Sequence, residues 1–557
     1  MTPTRTFACL LIVIAPFALF GQELDNIASK DPVQISGSLS GTSTFYHTDG
    51  PTQRDPFYWL LSGNVTLSLY GVSIPISATL TQQNRSFTQP FNQYGLSPHY
   101  KAVTVHLGYR SMNFSEFTLG GNIFLGGGFE IAPEKAKVSV SGMYGQLVKP
   151  VAPGRLVDGV IAGEPAFKRM GYAGKVTLGK QGSGSLVDLI LFRAKDIENS
   201  INADTLPDLK PAENLVLGVH TVQKLAERVN LDFQYAFSAY TLDTRAATPE
   251  NYNYSYLDNL GDLFSPNATT QYNTAISGNI QYTTPLLQLK LAYRRIDPEY
   301  KTMGSVFLVN DIEDITGNAT WRMFKNKVNI STSGGVQSNN LNEDKVSKMT
   351  RGVFAFNVAW IPTPKVNINV NYANFSASTR FSEALFLDSL NYIQVTKNAG
   401  LNVNYITGGE QLRQMVFAMG NYQDVNDSQD NTSTLYIING GYQISFVPRD
   451  LTFNASINFT NNTIVGMISN SAGPSLTVSK SFLKKKLKFN LAGTYLQSAA
   501  DGEVTGKFST LRLNTNYQYN QHHSLRTIVT YLNRETMGEN AKTINEFRAE
   551  LAYAYTF

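Results

Sequence analysis

The chain has 557 residues, of which 16% are charged and 11% aromatic, with a formal charge of +4 and a single cysteine. Soluble domains carry roughly 25% charged residues, so this is not the composition of a chain clothed in lysine and glutamate. The small, scattered positive balance argues against nucleic acid as a partner, and one cysteine excludes an internal disulfide.

Residues 1–21 read as a secretory signal peptide, with Arg5, an apolar run from Phe7 to Phe20 and the small residue Gly21. Cys9 lies inside that run, so neither a lipid-anchor cysteine nor a thiolate metal site is expected in the mature chain. Residues 22–32 form a short lead, and 33–557 is expected to be one domain. No later stretch has the run of about eighteen apolar residues that a membrane helix needs.

From residue 33 onward, apolar residues alternate with asparagine, threonine and serine. In 365–372 (KVNINVNY), Val366, Ile368, Val370 and Tyr372 share one face, while Asn367, Asn369 and Asn371 share the other. The stretches 229–237, 287–293, 451–459, 511–519 and 547–557 repeat the pattern. Period two is the signature of a strand, because successive side chains leave a pleated backbone on opposite sides.

A soluble sandwich also alternates, so other features must decide. The expected strands run about 12–16 residues, against roughly 5–6 in globular sheets. Tight turns such as 283–286, 324–327, 362–365, 448–450, 482–485 and 520–523 alternate with longer links such as 196–211, 241–269, 339–347, 381–390 and 424–431. The chain closes on an alternating strand ending in Tyr553, Tyr555 and Phe557. The expected fold is therefore all-β: a single large antiparallel transmembrane β-barrel of about 24 strands, within roughly 22–26, with short periplasmic turns and long extracellular loops.

Three segments stand out along the chain. Residues 101–132 contain a glycine-dense middle, Arg110–Gly128, which reads either as a bulge folded into the lumen or as a plain hairpin with a strand miscounted elsewhere. The loop 241–269 is unusually apolar, with Tyr252, Tyr254, Tyr256, Leu257, Leu260, Leu263 and Phe264. It is read as a constriction with Asp258 and Asp262 in the pore, as an outer contact surface, or as a loop packed on its neighbours. Asp424, Asn426, Asp427 and Asp430 offer closely spaced oxygens that suit Ca²⁺, but the spacing departs from the EF-hand template and favours a solvated loop.

Lumen and constriction candidates are Arg110, Glu116, Asp232, Asp258, Asp262, Lys290, Lys488, Arg512, Arg548 and Glu550. Their mixed sign implies no strong ion selectivity. The six histidines form no nucleophile–base or metal pattern, and the His522–His523 pair falls in a turn. No catalytic residue, resident metal or cofactor is expected.

The signal peptide, the alternating strands and the terminal Phe557 resemble those of Gram-negative outer-membrane β-barrels of the porin and transporter kind. The FGQ cleavage style and the Asn/Tyr-rich strands resemble those of the Bacteroidota. The resemblance implies a place in the cell outer membrane, with lipid and lipopolysaccharide around the barrel. It also implies a barrel-assembly machinery that reads Tyr553, Tyr555 and Phe557.

With only Glu23–Pro32 ahead of the first strand, there is no room for a globular plug. The leading functional reading is a passive channel for small polar solutes, restricted by its own loops. The alternative is a scaffold or conduit seating a lumen-plugging or periplasmic partner subunit. A third reading is an adhesin or structural barrel.

Overall fold

The computed structural model describes residues 33–557 except 53, 83–91, 135, 153–155, 158–159, 162–164, 180–183, 203–207, 249–262, 382–390 and 539–540. The signal-peptide and lead segments fall outside the described residues.

Neighbouring strands pair antiparallel along the chain, and the ladder returns to its start: Val33–Thr48 pairs with Lys542–Thr556 from Ser38↔Thr556 to Thr48↔Glu546. Gly37 and Phe557 exchange both backbone hydrogen bonds, at 2.8 and 3.0 Å. The sheet is thus a closed barrel with no free edge. Its 27 hydrogen-bonded segments occupy 26 positions, because Gln93–Leu96 and His99–Tyr100 share one, interrupted at Ser97 and Pro98. A small hairpin, Leu156–Val157 with Val160–Ile161, stands outside the ring.

The ring exceeds the expected count of about 24 for two reasons. Gln93–Tyr100 is too short and too broken by Gly95 and Pro98 to register as a strand by periodicity. Residues 101–132 are two strands, Val103–Asn113 and Gly120–Ile131, rather than one.

Alternation sorts the side chains as expected. On Leu451–Ile464 the outward residues Phe453 (41% exposed), Ile457 (69%) and Phe459 (38%) have no second sheet against them. In a sandwich these would be the core. The inward residues of the same strand build polar rails instead. Asn439 Nδ2 donates to Asn458 Oδ1 (2.6 Å), Asn458 Nδ2 donates to Ser475 Oγ (2.8 Å), and Ser475 bonds Thr494 (3.0 Å). Neutral bonds of this kind contribute about 0.5–1.5 kcal/mol each.

Wall height is uneven. Ser347–Thr363 and Tyr392–Gly408 have 17 residues each, whereas Val138–Val148 and Lys168–Leu178 have 11. The turn asymmetry is sharpest on the low side; on the high side two links at the long-loop end shrink to the turns Val465–Gly466 and Asp501–Gly502.

Closure has a direct chemical test. Ser40 and Ala554 lie opposite each other in a non-hydrogen-bonded pair, with Cα atoms about 4.5 Å apart, within disulfide reach. The double variant Ser40→Cys/Ala554→Cys should oxidise to a cross-link joining the two ends of the sheet on non-reducing gels. Two thiols that stay open to maleimide would refute the ring.

Candidate functional site

The low side of the ring is filled from within. The strands Val103–Asn113 and Gly120–Ile131 follow the wall only part of the way up. The last pair to one neighbour is Leu125↔Gln146, and the last to the other is Gly95↔Gly108. Beyond those pairs, among the described residues, the hairpin bonds only to itself in the ladder and turns inward. Its Met112, Phe114, Phe117, Leu119 and Phe124 are all buried.

The loop Asp297–Asp311 folds in beside this tip. Tyr300 Oη donates to the Phe117 carbonyl (2.6 Å), Thr302 Oγ1 to the Thr118 carbonyl (2.7 Å), and the Gly120 N–H to the Gly304 carbonyl (2.9 Å). A Cβ on Gly304 would stand 2.3 Å from the Thr118 carbonyl oxygen, so this approach requires glycine. Burial pushes the Tyr300 phenol above its ordinary range.

Both inward segments sit on the inner wall. A Cβ on Gly218 would lie 2.7 Å from Thr118 Cγ2, so the tip crosses to the strand Glu213–Ala226. There Asn214, fully buried, accepts the Met303 N–H (3.0 Å) and donates to Ser238 Oγ (2.8 Å), while Ser238 Oγ donates to the Lys301 carbonyl (2.6 Å). Around these bonds the wall presents Ile190, Phe192, Val216, Ala236, Ala275 and Ile296, forming one apolar cluster with the inward segments.

Phe307, 94% exposed, stands on the free side of this block. With Arg351 and Gln337 it lines a recess of about 420 Å³. Asp311 ends the loop, its N–H donating to the Asp297 carbonyl (3.3 Å). Burial works against its charge, but hydrogen bonds from Lys345 (2.5 Å) and from the Leu341 and Asn340 amides outweigh it and hold the carboxyl below its ordinary value of 3.8.

The expected lumen residues fall on the inner face, but in two separate places. Arg110 donates to Ser77 Oγ (2.6 Å), and Glu116, at the inward tip, meets Arg294 (3.4 Å), which also holds Asp314 (2.8 Å). Asp232 contacts His220 (3.2 Å), whose other nitrogen faces Asp188 (3.1 Å), and Lys290 lies on the same inner wall. Half-way round the ring stand Lys488, Arg512, and Arg548 paired with Glu550 (3.4 Å).

Asp258 and Asp262 lie outside the described residues. The described part of their loop does not build the constriction. Phe264 packs on Leu215 and Ala239, on the outward face shared with Leu217 and Val219.

Within the suggested Ca²⁺ cluster Asn426 Nδ2 donates to Asp424 Oδ2 (2.8 Å). Asp424 faces outward against Lys397 (3.7 Å), whereas Asp427 is used by Tyr392, Asn431 and the turn amides, and Asp430 occupies a left-handed turn position at φ 59°. Among the described residues no cluster of three or more His, Cys, Asp or Glu could hold a metal. Tyr553 and Tyr555 pack against His523 at the short-turn rim, the Tyr555 and His523 rings 4.8 Å apart, and Phe557 packs on Tyr555 (5.5 Å).

Sequence reasoning missed Tyr300, Thr302, Met303 and Asn214. A signal was present: Leu186–Phe192 reads LVDLILF, apolar on both faces, which marks a barrel strand covered from inside as well as outside.

No family model matches the chain, and no curated protein does. Among solved structures it is similar to the translocation pore of the P pilus usher PapC, at 9% identity over 94% of this chain and 99% of that one, with a TM-score of 0.38. It is also similar to the ferric yersiniabactin uptake receptor FyuA from Yersinia pestis (10%, 95% and 81%, 0.38) and to Pseudomonas aeruginosa OpdQ (9%, 66% and 96%, 0.35). At this level of superposition no residue's role is carried over from any of them.

Two outcomes follow from the anchoring of the block. Asn214→Leu leaves the buried Met303 N–H without its acceptor, at a cost of about 1–3 kcal/mol. Hydrogen exchange at Met303 should therefore accelerate, while the wall amides stay protected. The depressed Asp311 carboxyl stabilises its contacts above pH 3.8 and loses them only as pH falls through its lower folded value. Exchange of the Asn340 and Leu341 amides that bond Asp311 should thus show no opening transition between neutral pH and about pH 5.

Proposed function

We propose that this chain is an outer-membrane β-barrel channel of a Gram-negative envelope, which passes small polar solutes passively. The observation that carries this reading is the segregation of side chains across a closed ring. Outward positions are mainly aliphatic or aromatic, inward positions away from the filled side are mainly amide and hydroxyl, and the first strand of the ring pairs with the last. In hydrocarbon every backbone polar group must be satisfied within the protein, which only helices and closed barrels achieve.

The outward aromatics support the same reading by their placement. Tyr70, Tyr282, Trp321, Phe324, Trp360 and Tyr519 ring the short-turn end, each between 37% and 72% exposed. The Phe45–Phe57 and Tyr422–Tyr436 pairs, with centroids 5.0 and 4.9 Å apart, stand toward the other end. Aromatic girdles of this kind sit at the two interfaces of membrane barrels, with the aliphatic band between them.

A ring of 26 strands with nothing inside would be a wide hole, since diameter grows roughly linearly with strand number. The hairpin tip and the 297–311 loop narrow it from one side and leave an amide-lined passage on the other. They supply, from this chain, the obstruction that a conduit reading assigns to a second subunit. That favours the channel.

Purified full-length protein in planar bilayers should give stable openings. Replacing 302–309 by a short Gly-Ser link should raise single-channel conductance about twofold or more, since width sets the flow. A barrel that stays silent counts against the channel, and one that conducts identically after the replacement counts against the constriction. Independently, Ile457→Lys should lose about 2–4 kcal/mol at mid-bilayer and much of its heat-modifiable assembled form, whereas Asn454→Lys, facing the lumen, should assemble normally.

A further inference from the structure

The carboxylates on the filled side of the lumen are tied up in pairs, and among the described residues Arg110 and Lys290 are the cations named above that have no ion-pair partner there. Glu116, Arg294 and Asp314 form one group, Lys345 pairs with Asp311 (2.5 Å), Arg169 with Asp196 (2.8 Å), and His220 with Asp188 and Asp232. The opposite wall differs. Leu487–Ala500, Glu503–Gln518 and His523–Thr536 present Lys488, Arg512 and Arg526 inward, all exposed to the lumen. Among the described residues none of the three has a carboxylate within ion-pair distance; the nearby pairs are Lys485–Asp450 and Arg548–Glu550.

Two of these cations frame a recess of about 450 Å³ on the inner wall, near the short-turn end. Lys488 lies opposite Asn516, and Asn516 opposite Arg526, which sets the two strand positions about 10 Å apart with an amide between them. The neighbouring acceptors are already in use. Arg512 Nε donates to Asn514 Oδ1 (3.3 Å), Asn514 Nδ2 to Asn490 Oδ1 (3.4 Å), and Asn490 Nδ2 to Ser479 Oγ (2.7 Å). One carboxylate, Asp450, also lines the recess and is held by Lys485 (3.2 Å); what remains to face a solute is an ammonium, a guanidinium and the Asn516 amide.

We infer that this recess binds small hydroxylated anions, namely sugars carrying a carboxylate or a phosphate, on their way through the lumen. The oxyanion is held by Lys488 and Arg526, for which charge-assisted bonds are the strongest available, and the hydroxyls by the amide rail. A neutral sugar gains only the weaker contacts. The site rests on the channel reading for its purpose but not for its chemistry.

Isothermal titration of the detergent-purified full chain with glucose 6-phosphate, gluconate and glucose tests it. Either anion, or both, should bind at low salt, with glucose far weaker, and whichever anion binds tighter identifies the preferred oxyanion. Lys488→Gln/Arg526→Gln should weaken anion binding about tenfold or more, while Lys488→Arg/Arg526→Lys retains it, which separates lost charge from a damaged wall. Equal binding of all three sugars, no binding of either anion, or a Gln pair indistinguishable from the parent would overturn the site. In bilayers under a salt gradient the reversal potential should indicate chloride preference, reduced in the Gln pair. Binding without openings would sink the channel and keep the site; openings without anion binding would do the reverse.

Discussion

Closure of the hydrogen-bonded ring is the constraint from which the rest follows. An open antiparallel sheet exposes a row of unpaired N–H and C=O groups at each edge. Here the first strand pairs with the last, and the bond pair between Gly37 and Phe557 sits at the seam. Once the sheet is closed, each strand has one face turned in and one turned out, and a one-residue slip would exchange them. The register must therefore hold all the way round, and the polar rails running through Asn439, Asn458, Ser475 and Thr494 help to hold it.

A wide ring creates a second problem, an interior too large for its own side chains to fill. The chain meets it on one side only. Where the wall is low, the hairpin Val103–Ile131 leaves the sheet half-way up and lays its tip across the inner faces of the strands that follow. The inner wall there changes character accordingly. Ile190, Phe192, Val216 and Ala236 replace the amides and hydroxyls found elsewhere, because what faces them is protein. Orphaned polar groups would be costly in such a place, and Asn214 is tolerated because its carbonyl and amide are both in use.

Much of this was legible in the amino-acid order. Alternation in KVNINVNY and LTFNASINF identified inward and outward faces correctly, since period two survives any tertiary context that keeps the strand. The glycine-dense Arg110–Gly128 was singled out as the place where chain could leave the wall, and it does, within a hairpin whose two arms both belong to the ring. The strand Gln93–Tyr100 escaped because four residues, a break and two more carry too little periodicity to count. The 241–269 loop attracted attention by its aromatics, yet Phe264 turns outward onto Leu215 and Ala239. The loop that does fold inward, 297–311, has an unremarkable composition. Its role depends on Tyr300 and Thr302 meeting carbonyls at 117 and 118, contacts between residues roughly 180 positions apart that no local pattern encodes.

The charges follow the same division. Mixed sign read along the chain suggests a lumen indifferent to charge, because a sequence gives signs without pairings. In three dimensions the acids lie mainly where the interior is packed and low in water, and there each finds a cation or a set of N–H donors, as an isolated buried charge could not persist. Of the cations left over, Lys488, Arg512 and Arg526 stand on the wall that water reaches, where an unpaired ammonium or guanidinium costs little. On the channel reading proposed above, a lumen assembled this way takes its sign less from composition than from pairing: packing ties up the acids of one wall, and the cations of the solvated wall set the field a solute would meet.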